Sequence, residues 1–296
     1  MRSQQLIVGL AAVGLLVSAC GSDKKESAAT TPATTAAAAT TAAAGSTPAG
    51  GTVDCKPVKA GVLSVVTSLP GPNFWGTNET DPTQIKTGLE YDMANDIAAK
   101  CGLKMEFRNE DFGAIVAGQI PTGSFDISLS QVTITDDRAK VVDFSSPYYT
   151  ADQGVLVKKG VTISTWADLA KLTVGVQADT TAETDFMTVA KYKVSNLKSF
   201  PDLTSAYEAL SSGQVDAVVI DTPINLGQAA QSNGELTVVS QFKTGEQYGA
   251  IFPKDSDRKA IFDPIIKGLV DDGTIKALTL KYFKGDPATV PFVEPS

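Results

Sequence analysis

From Gly61 onward strand and helix signals alternate, and this alternation restricts the fold more than any other feature. "GVLSVVTS" is β-branched and apolar, "LEYDMANDIAAKCG" has helical spacing and stops at Gly102, and "LKMEFRN" returns to a strand. A short helix, "FGAIVAGQIPTG", and a strand-like run, "SFDISLSQVTI", follow. After "SSPYYTADQGVLVKKG" the order restarts: helix "TWADLAKL", strand "TVGVQ", a helix near "TAETDFMTVA", strand "KVSNLKSF", helix "LTSAYEALSSG", strand "DAVVID". Strands separated by helices form largely parallel sheets with helices on their faces. "IPTGSFDISLS" and "LSSGQVDAVVI" both read helix end, Gly, variable residue, apolar residue, Asp, strand. One copy in each run points to two similar α/β lobes with a cleft between them.

Upstream of this pattern the chain is of another kind. Arg2 gives "MRSQQLIVGLAAVGLLVSAC" a positive start, and Leu6 to Val17 is apolar but too short to span a bilayer. Residues 1–19 read as a signal peptide. "LVSAC" resembles the bacterial lipobox, in which cleavage falls before the cysteine; Cys20 would then carry lipid and anchor the chain to a membrane. Residues 21–51 are almost all Ala, Thr, Ser, Gly and Pro and cannot build a core. With Cys20 they read as a disordered tether over 20–52, reaching roughly 30 Å. The net charge of −8 lacks the basic face of a nucleic-acid binder. The absence of histidine excludes a Ser-His-Asp triad and a histidine-ligated metal. No metal or cofactor is expected.

Cys55 precedes the first strand, and Cys101 ends the helix before the second. In a strand–helix–strand unit with parallel strands those points lie at the same end of the sheet. In an exported domain a disulfide is expected there, closing a loop of about 45 residues and contributing ~4 kcal/mol in the chain-entropy model. Two buried free thiols are the alternative.

"SQVTITDDRAK" raises a separate question. Thr135 can cap a helix and Asp136 and Asp137 suit its first turn, but a cation at Arg138 does not. Several runs together resemble the bacterial extracellular solute-binding proteins of family 3, which serve amino-acid ABC transporters: "TGLEYDMANDIAAKCGLKMEF", "TGSFDISLSQVTITDDRAKVVDFSSPYY", "TVGVQADTTAETDF", "GQVDAVVIDTP", "QYGAIFPKDS" and "DDGTIKALTLKYF". The resemblance covers nearly the whole domain. It implies a type II periplasmic-binding fold: lobe 1 from 53–149 plus 249–296, lobe 2 from 154–245, and a hinge at 150–153 and 246–248.

It also implies a site for a zwitterion. Arg138 would grip the ligand carboxylate with its planar fork. Thr133, the backbone around Gln131, and Thr181 match ligand-contacting positions, and Asp221 matches the aspartate that takes the ammonium. Phe112 would cover the side chain, and Phe74 or Trp75 would stand near the cleft mouth. Ser68, Gln177 and Ile220 would line the side-chain pocket; none is charged, which leans toward a polar, uncharged amino acid. Taken alone, Arg138 could pair with Asp136 or Asp137, and Asp221 could cap the helix that begins at Thr222-Pro223. Asp179 departs from the family by standing where glycine is common. The implied protein is a monomeric, lipid-anchored receptor in the bacterial envelope that hands a free amino acid to a permease. Two alternatives stand beside it: a cyclohexadienyl dehydratase-like enzyme using Asp179 or Glu183 as general acid, and a sensor for another membrane protein.

Overall fold

The computed structural model describes residues 52–187, 193–283 and 287–293. The lipobox cysteine, Cys20, lies outside them. The first sheet has strand order β2-β1-β3-β10-β4, built from β1 (Val62–Thr67), β2 (Lys104–Asn109), β3 (Ile127–Ser128), β4 (Val142–Phe144) and β10 (Ile251–Pro253). The second has order β7-β6-β8-β5-β9, from β5 (Tyr149–Lys158), β6 (Thr173–Gln177), β7 (Asn196–Phe200), β8 (Ala217–Asp221) and β9 (Leu236–Tyr248). Within each sheet the strands joined through helices run parallel; β10 runs antiparallel to β3 and β4, and β5 antiparallel to β8 and β9.

Helices α1 (Leu89–Lys100), α2 (Phe112–Val116), α6 (Arg258–Asp271) and α7 (Thr274–Tyr282) belong with the first sheet. With the second go α3 (Trp166–Leu169), α4 (Leu203–Ser212) and α5 (Thr222–Gln231). Their starts follow local chemistry: Asp111 accepts from Ala114 N at 2.9 Å, Asp202 from Ser205 N at 2.8 Å, and Thr165 with Asp168 forms a capping box. The result is two α/β lobes. Valines 155, 157, 174, 176 and 219 pack with Trp166 and Phe242 on one face of the second sheet, while Val66, Phe112, Ile115 and Phe144 pack on one face of the first. A larger core runs from lobe to lobe through Phe74, Tyr149, Tyr248 and Ile224.

The repeated sequence element is one structural device used twice. Asp126 N donates to Ser64 O and Ser64 N returns to Asp126 Oδ2, both at 2.8 Å. Asp216 N donates to Thr173 O and Thr173 N returns to Asp216 Oδ2, again at 2.8 Å. Each aspartate therefore clips its strand to the neighbour that lies two strands earlier in the chain.

Cys55 and Cys101 are bonded, with Cα atoms 5.6 Å apart and a sequence separation of 46. Two details depart from the sequence reading. "SFDISLSQVTI" forms only the short β3, because the chain leaves the sheet at Leu129 and turns at Gln131, whose φ is 49°. The tail does not stay with the first lobe as the 249–296 assignment has it. Gln241 N donates to Pro291 O at 2.9 Å, Val293 N donates to Gln241 O at 2.8 Å, and Val293 joins the second lobe's core.

β5 and β9 are the long strands that pass between lobes. They pair from Tyr149 with Tyr248 to Lys158 with Leu236, and the register slips between Ala151 and Gln153. The lobes touch closely beside the cleft: a β-carbon on Gly227 of α5 would come within 2.6 Å of Pro72 Cβ.

Candidate interlobe binding site

A narrow cavity lies between the lobes, walled by Ser68, Phe112, Gln131, Thr133 and Arg138 from the first and Gln177, Thr181, Ile220 and Asp221 from the second. The backbone delivers Arg138 to it. After the turn at Gln131, Thr135 Oγ1 accepts from Arg138 N at 3.2 Å and starts a single 3-10 turn, Arg138–Lys140. Asp136 and Asp137 stay exposed, and Asp137 pairs with Lys140 instead of Arg138. The guanidinium turns inward and is only 9% exposed. Its Nη1 donates to Thr133 O and its Nη2 to Asp179 O across the cleft, both at 2.8 Å, and it sits 5.6 Å from the centre of the Phe112 ring. Burial lowers its pKa, and the carboxylates of Asp221 and Glu246 oppose that shift.

Asp179 holds φ at 63°, the conformation glycine adopts without cost. That turn aims its carbonyl at Arg138. Its side chain points to Gly113 of α2, and its N–H donates to Glu183 at 2.8 Å.

Asp221 ends β8 at the N-terminus of α5 but makes no side-chain cap bond to it. Its carboxylate turns to the interior and accepts from Tyr248 Oη and Gln153 Nε2. Burial, reinforced by the charge of Glu246, pushes its pKa up to about 8; Tyr248, Gln153 and Arg138 pull the other way. Thr133 and Thr181 bring hydroxyls to the same region. Among the other cavity residues, Ser68 N donates to Ser130 Oγ at 2.8 Å, and Thr180 Oγ1 donates to Gln177 O at 2.7 Å.

The aromatic pair does not reach the site. Phe74 and Trp75 are fully buried. Phe74 packs edge-on against Tyr149, Tyr248 and Phe283. Trp75 packs on Tyr91 and Phe107, and its Nε1 donates to Glu90 at 2.7 Å. The expectation that one of them lies at the cleft mouth is thereby corrected: the tight turn that follows Gly71 folds both rings inward. Leu69, Pro70, Leu203 and Ile224 instead supply apolar wall. Glu90, Gln153 and Glu246 are additional polar groups around the site. No helix or strand periodicity marks them as such, and the hinge positions expected for Gln153 and Glu246 were the one hint at their place.

Two α/β lobes joined by crossing strands, with a buried guanidinium and a buried carboxyl group facing one interlobe cavity, define a ligand-trapping binding protein. The sequence profile of the bacterial extracellular solute-binding proteins, family 3, matches residues 65–285, and the chain belongs to that family. It is 30% identical over 205 residues to the arginine-binding extracellular protein ArtP of Bacillus subtilis, covering 67% of this chain and 78% of that protein. An ancestral arginine-binding protein bound to arginine superposes with a TM-score of 0.66 at 34% identity, covering 75% of this chain and 98% of the other. Another such protein, bound to glutamine, gives a TM-score of 0.66 at 33% identity, covering 77% of this chain and all of the other (100%).

Proposed function

We propose that the protein captures a free amino acid in the interlobe cleft and presents it to the permease of an ABC importer. In this reading Arg138 takes the α-carboxylate, assisted by Thr133, Thr181 and the Gln131 backbone, and Asp221 takes the ammonium. The observation that carries it is the placement of Arg138 and Asp221: a buried guanidinium and a buried carboxyl group, one from each lobe, on one cavity. Residues 150–153 and 246–248 act as the hinge between a lobe built from 53–149 with the chain after 248 and a lobe built from 154–245, which the C-terminal tail joins. Lipid on Cys20 holds a monomeric receptor at the membrane, with the segment over 20–52 as its tether.

Apart from Arg138 and Asp221, the cavity wall is uncharged, with Ser68, Gln177 and Thr180 beside Leu69, Phe112, Leu203 and Ile224. That favours a polar, uncharged side chain such as that of glutamine over lysine, arginine or aspartate. The reading is of a binder: the carboxylates considered as general acids, Asp179 and Glu183, do not wall the cavity.

A thermal-shift screen against the twenty standard L-amino acids tests the reading. A ligand at a hundred times its Kd stabilises the fold by about 2.7 kcal/mol. The expected result is a large upward shift with one or a few uncharged amino acids. A flat response to all of them overturns the reading, and a response to arginine alone overturns the side-chain assignment.

A further inference from the structure

Glu246 is the residue whose bonding best repays attention. Its Oε2 accepts from Thr133 Oγ1 and from Thr181 Oγ1, each at 2.7 Å, and its Oε1 accepts from Gln153 Nε2 at 2.9 Å. Thr133 belongs to the first lobe and Thr181 to the second, and both line the cavity beside Arg138. One side-chain carboxylate thus bridges the lobes and collects two hydroxyls and an amide, within the field of a buried guanidinium. That is the set of donors an α-carboxylate would need.

The backbone is built to put it there. Asp152 Oδ1 accepts from Thr244 N and Gly245 N, both at 2.8 Å, and Gly245 has φ of 64°. These contacts fill the register slip between β5 and β9, and an irregularity of this kind re-aims the side chain that follows it. Glu246 follows it directly. The residue is only half-buried, so its carboxylate has a path outward to solvent.

We infer that Glu246 is an internal competitor for the carboxylate subsite: it occupies the hydroxyls of Thr133 and Thr181 and must give them up when an amino acid binds. The inference rests on the amino-acid reading given above and adds a residue that sets affinity. A hydroxyl has one proton to donate, so neither threonine can serve both carboxylates at once. Like charges brought together at this end of the cleft add to the conflict. Because every amino acid carries the same α-carboxylate, the competition weakens all ligands alike and leaves their ranking to the side-chain pocket.

The test compares the parent with Glu246→Ala and Glu246→Gln by calorimetric titration with the same twenty L-amino acids, each variant first shown to melt cooperatively. Glu246→Ala should bind the same amino acids in the same order, each about tenfold more tightly, equivalent to ~1.4 kcal/mol. Glu246→Gln should gain less, because a neutral amide still accepts from the threonines, only more weakly. If Glu246→Ala does not fold, Glu246→Gln decides. Unchanged or weaker binding in the folded variants overturns the inference, and weaker binding would place Glu246 on the ligand ammonium. Arg138→Ala separates the two levels. If it abolishes binding while the Glu246 variants show no gain, only the competitor role falls. If the parent binds no amino acid, the role and the functional reading fall together.

Discussion

Glu90 in the first lobe and Asp221 in the second are both carboxylates of at most 4% exposure, yet the fold supplies them differently. Glu90 accepts from Trp75 Nε1, Gln131 N, Gln131 Nε2 and Tyr148 Oη. It lies outside the cavity wall. Among the described residues Asp221 accepts from Tyr248 and Gln153 only, has the carboxylate of Glu246 nearby, and faces the cavity. Burial raises the pKa of both. The difference lies in what remains to be satisfied. Glu90 is surrounded by donors that fix the aromatic cluster and the Gln131 turn. Asp221 has acceptor capacity left, on the side from which a cation would come. A crowded buried carboxylate organises the fold, and a sparsely served one facing a cavity awaits a partner.

The largest expected effect probes the first half of that contrast. Glu90→Ala leaves several buried donors without their acceptor, at ~1–3 kcal/mol each. Stability should fall by about 3–5 kcal/mol, lowering the melting temperature by roughly 10 °C for a domain of this size. Affinity should change less than tenfold. Scanning calorimetry with titration on the same sample measures both, and intact stability with lost binding would erase the distinction.

Arg138→Ala should do the reverse. Losing one partner of a buried charge pair costs about 2–5 kcal/mol. Affinity should therefore fall by a factor of about 30 to several thousand while the fold persists. Binding within a few-fold of the parent would reduce Arg138 to a tie between Thr133 and Asp179.

pH separates the carboxylates next. The pKa of Asp221 stands at about 8 in the folded chain against an ordinary 3.8. Folding thus favours its protonated form: that contribution to stability is complete below about pH 4 and is lost as pH rises through 8, at up to ~1.4 kcal/mol per unit. Glu90, raised by the same burial, acts on stability with the same sign. Binding has the opposite sign, because a ligand ammonium favours ionised Asp221. Affinity should climb from pH 5 toward 8, by at most about tenfold per unit, then level off. Asp221→Asn should flatten the affinity profile, whereas Glu90→Gln should leave it intact. Equal pH slopes in both variants would mean the two groups play one role.

The smallest effect is steric. Gly227→Ala crowds Pro72 where the lobes meet, and it should weaken binding several-fold with melting nearly unchanged. Small-angle scattering of the liganded variant would show a larger radius of gyration than the parent's. Identical scattering would mean that Pro72 yields to the methyl group.

Much of this was legible in the residues, for identifiable reasons. "TVGVQ" and "DAVVI" are short apolar runs bounded by polar residues, and both became buried parallel strands, β6 and β8. The paired Gly-x-apolar-Asp elements marked two lobes because each aspartate closes the same reciprocal pair of bonds. Arg138 stood out because a capping account explained the acids around it and not the cation. Asp179 stood out because an aspartate occupied a glycine's place, and its positive φ explains why glycine suits that position. What escaped depends on direction, which periodicity does not carry. Phe74 and Trp75 differ from cleft aromatics only in which way a tight turn points them. Glu90 looks like any acid in a helix's first turn, and Glu246 is aimed by an irregularity between two strands far apart in sequence, where the Ala151–Glu246 pair gives way to Gln153–Phe242.

The disulfide has a mechanical side. Cys55 lies seven residues before β1, and Cys101 closes α1; Val53 N also donates to Lys100 O at 3.0 Å. Any pull arriving through the upstream chain meets this covalent junction before it reaches the sheet. The load passes to the end of a helix and bypasses β1, which would otherwise be peeled from its neighbours one hydrogen bond at a time. The second lobe, which β5, β9 and the C-terminal tail connect to the first, lies downstream of that junction. If the chain is held through Cys20 as proposed, a tug from that side meets the disulfide before the cleft.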